Sequence, residues 1–178
     1  MSPMTPRPLS LEIALLGYIS TGQQHGYQIY RRHGGPVGLG RIWSIKQAQL
    51  YAMLGKLEEA GYLTASVQQQ ETRPARRVFR ITPQGEAVFQ SWLESPVERP
   101  RQMRAEFHLK LYFAHRQGRE AVLRLLEAQR RACRAWLEAP PGAGAEPGDV
   151  HFWLVHRFRS GQIQAMLDWL DLCQEKLA

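Results

Sequence analysis

A chain of 178 residues with 44 % apolar content is long enough to bury a real core and too apolar to be disordered by default. No apolar run approaches the roughly 20 residues a membrane span needs, and the opening MSPMTPRPLSLEIALLGYIS lacks the order of a secretory leader, so the expected location is the cytoplasm with no membrane contact. The net charge of +7 is concentrated: Arg31 to Arg80 holds nine basic and three acidic residues, which points to a polyanionic partner.

Ser10 to Ser20 reads as a first helix, capped by Ser10, with Leu11, Leu15 and Tyr18 at helical spacing and Ala14 beside them. TGQQHG breaks the chain, and His25 before Gly26 caps a helix rather than binding metal. Tyr27, Ile29 and Tyr30 begin a short second helix that ends near His33 and Gly34. GGPVGLG is a helix-separating loop. A third helix is expected from about Ile45 to Ala60, opened by a Ser44/Gln47 capping box and closed by Gly61. Leu50, Leu54 and Leu57 fall on its inner face, with Met53 at the edge. In YLTASVQQQETRPARRVFRIT the period changes: Leu63, Ala65 and Val67 alternate with polar residues, as do the residues around Val78. The result is a two-stranded hairpin with an arginine-rich tip, Arg80 lying within a strand. Thr82 and Pro83 then suit the N-cap and first position of a helix carrying Val88, Phe89, Trp92 and Leu93.

The second half reads as helical: about Met103 to His115, about Arg119 to Leu137, then, after the linker APPGAGAEPG, about Val150 to Leu177. These segments are rich in aromatics. The last is too long and apolar for a lone chain to cover, which suggests dimerisation through helices. The candidate dimer residues are Phe107, Leu111, Trp153, Phe158, Leu167 and Leu170. His151 and His156 stand on different helical faces and make no zinc pair. Cys133 and Cys173 have no metal-ligand spacing and read as core thiols. No metal or cofactor is expected.

Helix, helix, helix, hairpin is the order of a winged helix-turn-helix, whose third helix enters the DNA major groove while the wing meets the neighbouring backbone. The fold class is therefore mainly α with a small β-hairpin. A winged helix-turn-helix DNA-binding domain occupies 1–95, and a helical dimerisation domain with a possible effector role occupies 96–178. The expected DNA contacts are Ser44, Lys46, Gln47, Gln49 and Lys56 around the third helix and Arg73, Arg76 and Arg77 on the wing. Gln pairs with adenine, Lys donates to guanine, and Ser44 and the arginines meet phosphates. Ala48 and Ala52 let the helix sit deep.

LSLEIALLGYISTGQQHGYQIYRR, SIKQAQLYAMLGKLEEAGYL and RRVFRITPQG, in this order, resemble PadR-type transcriptional regulators over roughly Leu9 to Leu93. The marks are His25-Gly26-Tyr27, the helix with Tyr51, Leu54, Leu57, Glu58 and Gly61, and Thr82-x-x-Gly85. EFHLKLYFA and Trp169-Leu170 are similar, more loosely, to the helical C-terminal domain of the longer members. Ala52 stands where many members have proline. The resemblance implies a homodimeric repressor on a palindromic operator, released by a small aromatic or cationic effector, with Tyr27 and Tyr51 as further phosphate contacts. The competing reading is a winged-helix small-molecule sensor or protein-interaction module without specific DNA binding. An enzyme is not expected, because no nucleophile–base pair, phosphate loop or metal spacing occurs.

Overall fold

Ala14 to Ile19 are six successive buried residues, and they form a 3-10 turn, Glu12–Leu15, that runs into a single helical turn, α1 (Leu16–Ile19). The uniform helix expected here is therefore replaced by two short pieces. A segment buried on every side has no solvent stripe, so an amphipathic period misjudges it. The computed structural model describes residues 11–22, 24–35, 39–69, 76–138 and 149–177. The expected Ser10 cap, the wing tip with Arg73 and the APPGAGAEPG linker lie outside these residues.

After α1 come a two-residue strand β1 (Gln24–His25), α2 (Gly26–Gly34), a 3-10 turn Leu39–Arg41, α3 (Gln47–Glu59), the wing strands β2 (Leu63–Gln68) and β3 (Arg76–Ile81), and α4 (Pro83–Glu94). A 3-10 turn Pro100–Arg104 follows, then α5 (Glu106–Gln117), α6 (Arg119–Glu138) and α7 (Val150–Leu177). Among the described residues, no helix is long and apolar enough to cross a membrane.

The chain divides into two compact units. One is the chain as far as Leu93 with Arg104–Lys110, and the other is Glu94–Met103 with the chain from Leu111 onward. In the first, Leu50, Leu54 and Leu57 of α3 are fully buried beside Ile29, Leu15 and Leu16 in the same core. Burying each such side chain contributes roughly 1.5–3 kcal/mol. The sheet has three antiparallel strands in the order β1-β3-β2, not the two expected. Gln24 pairs with Phe79 and His25 with Val78, while β2 and β3 run in register from Leu63–Ile81 to Gln68–Arg76. A two-residue strand has no alternation to read, which is why it escaped the pattern.

The first unit also holds a buried polar cluster. Lys110 is 1 % exposed, its Nζ lies 3.9 Å from Glu106 Oε1 and it stands 5.0 Å over the Trp92 ring. Trp92 Nε1–H donates to that same carboxylate oxygen at 3.1 Å.

In the second unit α6 packs on α7. Arg130 of α6 donates through Nε to Asp171 Oδ1 at 3.0 Å and through Nη2 to the Leu170 carbonyl at 3.3 Å. Buried Gln129 accepts the Val97 N–H at 2.8 Å. Cys133 and Cys173 are buried thiols outside any disulfide, and burial raises both pKa values, that of Cys173 to about 11. Three of the residues expected at a dimer interface are instead covered within their own chain: Phe107, Leu111 and Leu170. Phe107 belongs to the first unit, and Leu170 faces inward on α7 beside the Arg130 contact. Leu167 is half-buried, and Trp153 and Phe158 are 61 % and 65 % exposed.

Candidate nucleic-acid interface

The outer side of α3 is polar and small. Lys46, Gln47, Ala48, Gln49, Tyr51, Ala52 and Lys56 are all exposed, with Ala48, Gln49, Ala52 and Lys56 on the side away from the three buried leucines and Gln47 and Tyr51 at its margin. This is the face a groove-entering helix needs: an apolar inside to hold it and polar tips with small residues outside.

The start of the helix differs from expectation. The N-cap is Lys46, in extended conformation, and α3 begins at Gln47, so Ser44 lies two residues ahead of the cap and there is no Ser44/Gln47 box. Ile45 is buried and draws that stretch inward, which delays the first turn. The cap is made by Gln49, whose Oε1 accepts the Lys46 backbone N–H at 3.0 Å. His25 and Gln28 repeat this device at α2, with the His25 N–H donating to Gln28 Oε1 at 3.0 Å. His25 thus stands at the N-cap of α2, while its Nδ1 is enclosed without a hydrogen-bond partner.

Two of the expected cations are engaged. Lys56 Nζ lies 3.5 Å from Glu12, and Arg77 pairs with Glu58 while standing 5.3 Å over the Phe79 ring. Both remain at least half exposed, so these surface pairs are worth little and yield readily to a phosphate. Arg76 is exposed at the start of β3. Ser44 is exposed in the loop before α3.

Tyr27 and Tyr51 come from different helices and are 56 % and 37 % exposed. Gly26 explains how Tyr51 is held. A Cβ on Gly26 would lie 2.6 Å from Tyr51 Cε1 and 3.0 Å from its hydroxyl oxygen, so the ring rests against bare backbone at the first residue of α2. The glycine of His25-Gly26-Tyr27 is therefore a seat for a residue 25 positions away, a relation that spacing cannot reveal.

One buried residue near the site was missed. His33 on α2 is 2 % exposed, and its ring lies edge-on to Tyr18 and Trp43. It read as a mere helix end in the sequence. Among the described residues, no group of three or more His, Cys, Asp or Glu is placed to hold a metal.

The chain is similar to known proteins over most of its length. Residues 15–91 match the family described as "Transcriptional regulator PadR-like family", and residues 103–178 match "Virulence activator alpha C-term". The chain is 30 % identical over 145 residues to the "Negative transcriptional regulator PadR" of Bacillus subtilis, covering 77 % of this chain and 78 % of the relative. It is 26 % identical over 89 residues to a "Probable transcriptional regulator" of Mycobacterium tuberculosis, covering 50 % of this chain and 46 % of that one. Among solved structures, B. subtilis PadR in complex with operator DNA is 26 % identical at a TM-score of 0.45, with 92 % of this chain and 97 % of that one covered. B. subtilis PadR in complex with p-coumaric acid is 24 % identical at a TM-score of 0.43, with 97 % and 98 % covered.

Proposed function

We propose a specific role for this chain, which belongs to the PadR family of transcriptional regulators: it is a homodimeric repressor that binds a palindromic operator in the cytoplasm. The observation that carries this is α3 itself, an exposed polar and small-residue face over three buried leucines, followed by a wing whose second strand, β3, carries Arg76, Arg77 and Arg80. Repression rather than activation is favoured by the name of the B. subtilis relative, a negative regulator. In this reading Tyr27, Ser44, Lys46, Gln47, Gln49, Tyr51 and Lys56 meet the groove and its phosphates, and Arg73, Arg76 and Arg77 meet the flanking backbone. The winged domain is 1–95 and the helical dimerisation domain 96–178. Trp153 and Phe158 form the contact between protomers, and Leu167 lies beside it. Exposed Val150, Leu154 and Val155 on the same helix support that, because a contiguous apolar patch of this kind marks an interface. A small aromatic or cationic effector releases the DNA.

The test is binding of the purified protein to DNA from upstream of its own gene against random duplex of equal length at moderate salt. A clear preference is expected, with affinity falling steeply as salt rises. Equal affinity for both would defeat this reading and leave a sensor or interaction module. Arg76→Ala is expected to weaken all duplexes alike and to reduce the salt slope by about 1, the signature of one lost phosphate contact.

Gly26→Ala separates seating from folding. Only a ring edge must move, and alanine favours the helix by up to about 1 kcal/mol, so the melting temperature is expected to stay close to that of the wild type. Operator affinity is expected to fall on the order of tenfold as Tyr51 is displaced, the size of one charge-assisted hydrogen bond. Unchanged affinity would remove Tyr51 from the interface.

A further inference from the structure

α7 has an inner side, where Ile163, Leu170 and Cys173 are buried. At about 100° per residue, Leu154, Phe158, Gly161, Ala165, Asp168 and Leu172 fall on the opposite side, and all six are exposed. Three large apolar side chains on one stripe are thus left for another surface to cover. The middle of the stripe is small and open: a Cβ added to Gly161 would meet nothing within 4 Å. Small side chains at a contact let a second helix axis come close. Charge is divided along the same helix. Residues 150–162 hold His151, His156, Arg157 and Arg159 and no acid, whereas 163–177 hold Asp168, Asp171 and Glu175 against one lysine. Asp171 pairs with Arg130 and Glu175 with Lys176, inside the chain. Arg157 and Asp168 lie on the outer stripe. Among the described residues Arg157 meets no carboxylate and Asp168 no cation, and Asp168 accepts from the neutral Gln164 amide at 3.0 Å.

We propose that this face takes α7 of a second copy of the chain, the two helices running antiparallel and crossing at Gly161 and Ala165. This rests on the reading of the chain as a homodimer and adds the direction and register of the pair. A parallel pair would set Arg157 against the partner's Arg157 and Asp168 against the partner's Asp168, and like charges at close quarters repel. An antiparallel pair that sets Gly161 against the partner's Ala165 also sets Leu154 against the partner's Leu172 and brings Arg157 beside the partner's Asp168. One register therefore matches apolar with apolar and cation with anion, and it places the small residues where the axes come closest. The two copies are related by a two-fold axis, so each of these contacts occurs twice. The basic half of each helix then lies along the acidic half of the other.

The experiment traps the pair in the full chain. Leu154→Cys and Leu172→Cys proteins, one carrying a size tag, are oxidised mildly, each alone and after mixing. Wild type is oxidised alongside, its own Cys133 and Cys173 being buried. The mixture is expected to give the 154–172 disulfide, and neither protein alone is expected to link to itself. A 154–154 disulfide, or no disulfide in any combination from a protein that is dimeric, would overturn the proposal. Sedimentation over a dilution series supplies the second measurement. Arg157→Glu and Asp168→Arg are each expected to weaken association on the order of tenfold, and the two together, which restore the pairs with signs exchanged, to recover most of it. Gly161→Leu is expected to weaken association by a similar factor with helix content unchanged by circular dichroism, because its side chain enters open space. Undiminished association of Gly161→Leu would refute the crossing point. A wild-type chain that sediments as a monomer would instead strike the homodimer reading itself.

Discussion

Gly85→Ala is expected to destabilise the winged unit by about 3 kcal/mol or more, lowering its melting temperature by roughly 10 °C or more. A Cβ at this position would lie 2.1 Å from the Tyr62 carbonyl oxygen and 3.1 Å from Ile81 Cγ1. That oxygen has nowhere to go, because it accepts the Thr82 N–H at 3.1 Å while the Tyr62 N–H donates to Leu57 at 2.9 Å. Thr82 closes the other side: its hydroxyl donates to the Gly61 carbonyl at 2.8 Å and accepts the Gly85 N–H at 3.0 Å. The Thr-x-x-Gly motif is thus a clamp between the end of α3 and the start of α4. Gly55→Ala supplies the control. Nothing lies within 4 Å of its added Cβ, so in mid-helix it should stabilise by roughly 0.5–1 kcal/mol. Thermal melts of the two variants give the answer, and a Gly85→Ala protein melting within a degree or two of the wild type would refute the clamp.

Removing either member of the buried Glu106–Lys110 pair should cost a comparable amount. Lys110→Met leaves the Glu106 carboxylate, which also accepts from Trp92 Nε1–H, without its neighbouring cation in a site where both side chains are nearly sealed. Breaking such a pair costs about 3–5 kcal/mol, whereas replacing both charges is often close to neutral. The double variant Glu106→Gln with Lys110→Met is therefore expected to recover most of the loss. Denaturant unfolding of the two single variants and the double completes the cycle. Single losses below about 1 kcal/mol would mean that the pair is more hydrated than its burial indicates.

The parts of this protein that were legible in advance are those where one residue type has one use. Leu50, Leu54 and Leu57 had to be buried, Thr82 before Pro83 had to start a helix, and Gly61, at φ 77°, had to end one. The errors arose where two readings share a pattern. Ser44 with Gln47 and Lys46 with Gln49 have the same spacing, and the choice between them is made by burial of Ile45, a tertiary fact. Phe107, Leu111 and Leu170 are apolar on helices that also carry exposed aromatics, and nothing local separates a residue that covers its own core from one that covers a partner's. Tyr51 and Gly26 meet only once α2 and α3 are assembled.

The carbonyl oxygen of Gln49 is already spent on its own helix, and that alters the code the helix can read. A glutamine recognises adenine by accepting from the exocyclic amine and donating to N7 at once. With Oε1 holding the Lys46 N–H at 3.0 Å, one of its two lone pairs is committed and the oxygen is turned toward the start of its own helix, which leaves the amide hydrogens as the more available group. Those hydrogens meet any groove acceptor: a purine N7, the O6 of guanine or the O4 of thymine. If α3 enters the groove as proposed, the base facing Gln49 is therefore expected to tolerate more than one letter, and strict adenine selection there would require the amide to turn away from the cap.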